Sequence, residues 1–208
     1  MLLLLLLALS SYGRSQTKFG VKSAYGIFKA SPSHIMYSND GLYYSEKIQF
    51  IENRNATSLG LFFVKDFDFL FFQIDALYTK YDALYGVQFL LESSQPEQFE
   101  LEKFRNIDFS IIAGYNWNKF DVGVGPVFHR RMDMESGMSK YDFFRDKSSN
   151  LSAGFQFSVG YTIGPLKAEI RWEDMFAKAG DHIGFQNRQR NKFSSPQSLI
   201  QFQIGLGF

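Results

Sequence analysis

Ser198-Leu-Ile-Gln-Phe-Gln-Ile-Gly-Leu-Gly-Phe208 decides the fold class of this 208-residue chain. Ile200, Phe202, Ile204, Leu206 and Phe208 alternate with Gln201, Gln203, Gly205 and Gly207. Successive side chains of an extended strand point to opposite sides, so a period of two gives one apolar face and one polar or nearly bare face. The stretch stops on an aromatic residue with no polar tail behind it. A membrane-spanning barrel requires strands of this kind, because its outward residues meet hydrocarbon and its inward residues need not be apolar.

Composition agrees with that reading. Aromatic residues make up 18% of the chain, with 24 Phe and 11 Tyr, yet the mean hydropathy is only −0.17. Alternating strands produce this combination, since half of their residues are polar. The 22 basic and 21 acidic residues leave a net charge of +1 and no electrostatic footprint for nucleic acid. The absence of Cys excludes disulfides, thiolate metal sites and a Cys nucleophile. No apolar run reaches the roughly 20 residues of a helical span. The nearest, residues 1–9, reads together with 10–15 as a secretory signal, with Gly13 and Ser15 at the −3 and −1 positions before Gln16. The expected organisation is therefore a signal peptide over 1–15 and one barrel domain over 16–208.

The alternation recurs upstream. Phe19, Val21, Tyr25 and Ile27 oppose Gly20, Lys22, Ala24 and Gly26; Leu70, Phe72, Ile74 and Ala76 oppose Phe71, Gln73, Asp75 and Leu77. Similar segments begin near 59, 107, 120, 151 and 166, giving eight strands, each near the ~10 residues that a tilted membrane strand needs. Short connections fall near 65–68, 116–119 and 162–165, where Asn and Gly-Pro supply turn chemistry. Long ones fall near 29–54, 80–103, 130–147 and 174–197. This long–short rhythm is that of an outer-membrane barrel with short periplasmic turns and long outer loops. The fold class read here is all-β: an eight-stranded antiparallel up-and-down transmembrane β-barrel in a Gram-negative outer membrane, both termini periplasmic. A water-soluble barrel of the same period would turn its Phe-rich faces inward and its Gly- and Ser-rich faces to water, an unusual inversion.

The inward faces hold most of the charge. Asp75, Asp108 and the run Lys167, Glu169, Arg171 and Glu173, four residues on one face of one strand, are expected to pair inside the barrel. Ion pairing that fills the lumen disfavours the alternative of a small channel. Catalysis finds little support. His34, His129 and His182 are scattered, no G-x-S-x-G elbow occurs, and no cluster has metal-ligand spacing. No cofactor is expected, and a lipid-modifying enzyme is the least favoured reading. The outer loops carry the distinctive chemistry: Asn187, Arg188, Arg190 and Lys192 form a segment free of acids that suits lipid phosphates or a partner's carboxylates.

Several stretches resemble the PorT family of outer-membrane β-barrels associated with type IX secretion. They are the first strand from Phe19, the hairpin from Asp108 to Pro126, the Asn187-Arg-Gln-Arg-Asn191 segment and the strand ending in Phe208. The resemblance implies a small non-enzymatic barrel needed for secretion and surface attachment of cargo. It implies as partners outer-membrane lipid, secretion-system proteins and, during insertion, the barrel-assembly machinery, which recognises a terminal aromatic in such proteins. Phe208 is the residue carried over as that insertion signal.

Overall fold

The computed structural model describes residues 16–30, 33–37, 46–90, 96–141, 144–146, 150–178, 180, 183–185 and 196–208. Among these, eleven strands run β1 (Gln16–Ala30), β2 (Ser33–Tyr37), β3 (Glu46–Phe67), β4 (Leu70–Phe89), β5 (Gln98–Trp117), β6 (Phe120–Ser136), β7 (Phe144–Asp146), β8 (Leu151–Ile163), β9 (Leu166–Lys178), β10 (Ile183–Phe185) and β11 (Pro196–Gly207). Eight of them, β1, β3, β4, β5, β6, β8, β9 and β11, pair antiparallel with their neighbours and close into a ring through β1–β3 and β1–β11. The expected fold class is the observed one.

The ring's geometry follows from its register. Partners traced once around the ring from Gly20 pass through Phe62, Asp75, Ser110, Val127, Gly154, Met175 and Gln197 and return to Ala30, ten residues further along β1. That stagger over eight strands tilts them by about 40° and leaves a bore only as wide as side chains can fill. Gly125 is one result of the tight wall. A Cβ there would collide with the Ile111 carbonyl on the neighbouring strand.

Within the apolar band each ring strand's facing agrees with its period of two; bulges on β3 and β6 break the period only above it. Phe19, Leu61, Ile74, Phe109, Val124, Phe157, Ile170 and Phe202 are exposed on the outer wall, whereas Lys22, Gln73, Asp75, Gln156, Arg171 and Gln203 are buried within it. On β9 the outward apolar residues run from Leu166 to Phe176, a rise of about 25 Å at this tilt, which is the height of the lipid-facing band of a membrane barrel.

The three short connections are two-residue hairpins at Asp68-Phe69, Asn118-Lys119 and Gly164-Pro165. Each has a positive φ at its first residue: 47° at Asp68, 61° at Asn118 and 57° at Gly164. That conformation matches the twist of the flanking strands, and Asp, Asn and Gly tolerate it better than other residues.

The other end differs from expectation. The expected connections 29–54, 80–103 and 130–147 contain much strand. β3 has 22 residues, β4 and β5 have 20 each and β6 has 17, against the ~10 that spanning requires. β4 alone continues about 20 Å past the apolar band. β2 extends β1, pairing with residues 46–50 of β3 at a register one residue offset from that of β1. By contrast, β8, β9 and β11 have only 12 or 13 residues. The ring thus has one tall wall, β2 to β6, and one low wall.

The tall wall's inner face carries an apolar core, with Glu100, Glu102 and Asn106 of β5 buried beside it. Ile35, Ile48, Phe50, Ala83, Tyr85, Val87, Phe104, Met138 and Ile183 form the largest apolar core among the described residues. β7 and β10, from the third and fourth long connections, pair with each other, and Ile183 of β10 and Phe144 of β7 pack on that core. The 3-10 turn over Gly137–Lys140 inserts Met138 into it. These pieces form a dome over the tall-wall end of the bore. Beyond the lipid the outer faces of β3 and β4 meet water while Ile48, Phe50, Ala83, Tyr85 and Val87 feed the core, so the polarity of the alternation reverses on these two strands and they continue.

Candidate functional site

The bore is built in layers. At its centre, Arg171 of β9 donates to Glu169 Oε1 from Nε at 2.9 Å and from Nη2 at 2.6 Å, and its Nη2 also binds Asp75. Lys22 Nζ of β1 lies 3.2 Å from Asp75 and 3.4 Å from Glu169. Lys167 Nζ reaches Asp121 at 3.0 Å and Glu169 at 3.4 Å. The amide of Gln73 ties the set together, accepting from Lys167 at 2.8 Å and donating to Asp75 at 3.0 Å. Three cations and three carboxylates are thereby joined with no charge left over. Desolvated ions demand this, because an unpaired charge in a low-dielectric bore is costly. Asp75, Lys167, Glu169 and Arg171 all lie in this layer.

Towards the hairpin end, Phe62, Val64, Phe71 and Ile112 form an apolar floor. Lys22 and Lys167 stack over the Phe62 and Phe71 rings at 5.3 and 5.1 Å. Gly20, Gly114, Gly123 and Gly205 make room for those two rings, since a Cβ on any of them would press on Phe62 or Phe71. A vestibule of about 490 Å3 opens between the hairpins, lined by Lys18, Asp66, Asn116 and Lys119 and reaching both the floor rings Phe62 and Phe71 and the Lys167–Asp121 pair.

Above the ionic layer lies a second polar layer. His129 Nδ1 is 2.8 Å from Asp108 Oδ1, both side chains being buried. Glu173 pairs in register with Gln156, whose amide donates to the Pro126 carbonyl at 3.3 Å. Asp108 and Glu173 thus face the bore. His129 also faces the bore and not the rim, whereas His34 lies exposed on β2 and His182 lies outside the described residues. On the opposite side of the bore, Gln203 donates to Gln201, Gln201 to Ser58, and Ser58 bonds Thr79.

An apolar seal follows. Ala56, Met175 and Leu199 pack with Tyr81, and Tyr81 stacks on Phe104 at 4.8 Å with 14° between the rings, leading into the dome. At the dome's margin Tyr141 donates to Glu100 at 2.7 Å, and Lys140 pairs with the same carboxylate at 2.6 Å. Burial and the Glu100 carboxylate together push the Tyr141 phenol above its ordinary range. Burial does the same to Tyr85 at the dome's centre. The dome is the part that sequence reading missed. Its signal was present in Ala83, Tyr85 and Val87, apolar at every second position just beyond Lys80.

No metal-binding group of three or more His, Asp or Glu is present among the described residues. The segment with Asn187, Arg188, Arg190 and Lys192 lies outside the described residues, as does the expected signal over 1–15. Phe208 stands on the outward face at the hairpin end and is 78% exposed. Its amide donates to the Phe19 carbonyl at 2.8 Å and its carbonyl accepts from the Phe19 amide at 3.3 Å. Phe208 therefore forms the last rung of the seam that closes the ring.

No family model matches the sequence, and no curated protein matches it. Among solved structures the chain is similar to Neisserial surface protein A (11% identity, 94% of this chain and 100% of that one, TM-score 0.45). It is also similar to the outer membrane protease OmpT from Escherichia coli (9%, 92% and 96%, TM-score 0.45). A third is the attachment invasion locus protein of Yersinia pestis in complex with the heparin analogue sucrose octasulfate (8%, 93% and 99%, TM-score 0.39).

Proposed function

We propose that this chain is an integral outer-membrane barrel that acts as a sealed structural platform. The observation that carries this reading is the layered bore: an apolar floor, a neutralised ionic layer, a second polar layer, an apolar seal and a dome, all inside a wall whose outer band is apolar. A water path for ions has no place in that order. The tall wall is the working part, projecting from the bilayer as a scaffold for other proteins. We read it as the outer end because the long connections lie there.

Purified protein in planar bilayers should show no conductance steps. Steady steps would return the channel reading and refute the sealed bore. Since the chain lacks Cys, single cysteines report orientation. On intact cells an impermeant thiol reagent should label Gln88→Cys on the tall wall and leave Lys119→Cys on a hairpin unlabelled; the reverse pattern inverts the assignment.

The finer role follows from the resemblance to the PorT family: a component needed for type IX secretion, contacting secretion-system proteins through Arg188 and Arg190. Arg188→Glu/Arg190→Glu should impair cargo secretion and partner co-purification. Unchanged secretion and an unchanged set of partners would remove that site from the proposal.

A further inference from the structure

The outer wall of β11, β1, β3 and β4 carries a groove of about 590 Å3 within the apolar band. Register places Tyr25 beside Thr57 and Thr57 beside Lys80, and in the next row Ser23 beside Leu59 and Leu59 beside Tyr78. Ser23 and Thr57 are the short side chains of this patch and sit diagonally to each other. The groove is therefore a trough with two hydroxyls along its base and tyrosine rings and aliphatic side chains for walls.

Lys80 is the single charged residue in the lining. It stands at the upper edge of the band, and its Nζ lies 5.5 Å over the Tyr78 ring, at the trough's wall. Among the described residues no carboxylate pairs with it. Its cross-strand neighbour Arg105 does have acids, Asp133 at 2.9 Å and Glu135 at 2.7 Å, so those carboxylates are already engaged. An apolar trough on a lipid-facing wall, ending in one available ammonium, has the charge pattern of a lipid with one negative headgroup. The acyl chain would lie in the trough and the phosphate would sit on Lys80.

We propose that this groove is a binding site for a singly charged anionic glycerophospholipid of the phosphatidylglycerol class. The proposal rests on the reading of the chain as a membrane barrel. One cation in the lining matches one phosphate. A zwitterionic headgroup would bring its own ammonium towards Lys80, and a headgroup with several phosphates would leave charge unmatched in the groove.

Native mass spectrometry of the detergent-purified protein tests it, with phosphatidylglycerol, phosphatidylcholine of the same chains, and lipopolysaccharide as probes. The wild type should retain phosphatidylglycerol over phosphatidylcholine by about fivefold, the factor one near-surface cation supplies. Lys80→Gln should abolish that preference. Ser23→Leu, which fills the trough, should lower retention of both phospholipids, and Lys119→Gln at the far end should change neither. Wild-type preference surviving Lys80→Gln overturns the site, and so does lipopolysaccharide displacing phosphatidylglycerol in a Lys80-dependent manner. A gel comparing unheated with boiled protein checks folding of each variant and, separately, the barrel reading. An unshifted wild-type band would count against the barrel, whereas a shifted band without lipid selectivity counts against the groove alone.

Discussion

Arg171→Met should destabilise the folded barrel by about 3–5 kcal/mol, because it removes one partner from a buried ionic cluster and strands the others. Asp75 and Glu169 would then share Lys22 and Lys167 only, and Glu169 would lose both of its short bonds to the guanidinium. The measurement is the urea midpoint of reversible folding into lipid vesicles, read with an unchanged slope. Arg171→Met/Asp75→Leu should recover part of the loss, since removing both members of a buried pair leaves less charge unmatched than removing one. A loss below about 1 kcal/mol for the single variant would mean that water reaches the bore and screens the cluster, contrary to its layered closure.

The second large effect lies on the outside. Ile170 sits near the middle of the apolar band on β9 and is 59% exposed. Ile170→Arg should cost about 2–4 kcal/mol in a bilayer, the penalty for a cation at the midplane of a membrane barrel. Met132 on the tall wall is similarly exposed, at 55%; Met132→Arg should change stability by less than about 0.5 kcal/mol, as an ordinary surface substitution does. The contrast is the test. In a barrel bathed in water both positions would tolerate arginine equally, and equal tolerance would overturn the membrane reading.

The facing of the ring strands was legible because it depends only on a period of two, and lipid forces the two faces apart in polarity. The seam strand ending at Phe208, the inward charges of β9 and the three hairpin turns all follow from local pattern and turn chemistry. Strand heights were not legible. On β4 from Leu70 to Tyr78 the outward face is apolar and Gln73 and Asp75 point in between Phe71 and Leu77, whereas Lys80, Asp82 and Gln88 face out and Ala83, Tyr85 and Val87 face in. The same strand thus changes the sign of its pattern at Lys80, and a search for outward apolar residues stops there. Partner choice in the ionic layer was equally hidden. Lys22 meets Glu169 across 147 positions of sequence, a meeting fixed by the ring's stagger and by no local signal.

The rung between Phe19 and Phe208 joins the first and last strands, so ring closure is the most sequence-distant strand pairing among the described residues. Until it forms, β1 and β11 each present a row of unpaired amides and carbonyls, which hydrocarbon tolerates poorly. The ionic layer adds a second reason for concerted assembly: Lys22 on β1 draws its carboxylates from β4 and β9, on opposite sides of the seam strand's neighbourhood. Opening the seam between β1 and β11 would part that ammonium from Glu169 and leave it Asp75 alone, reached through β3. Closing the seam therefore does two things at once: it pairs the last free sheet edges and brings Glu169 to Lys22.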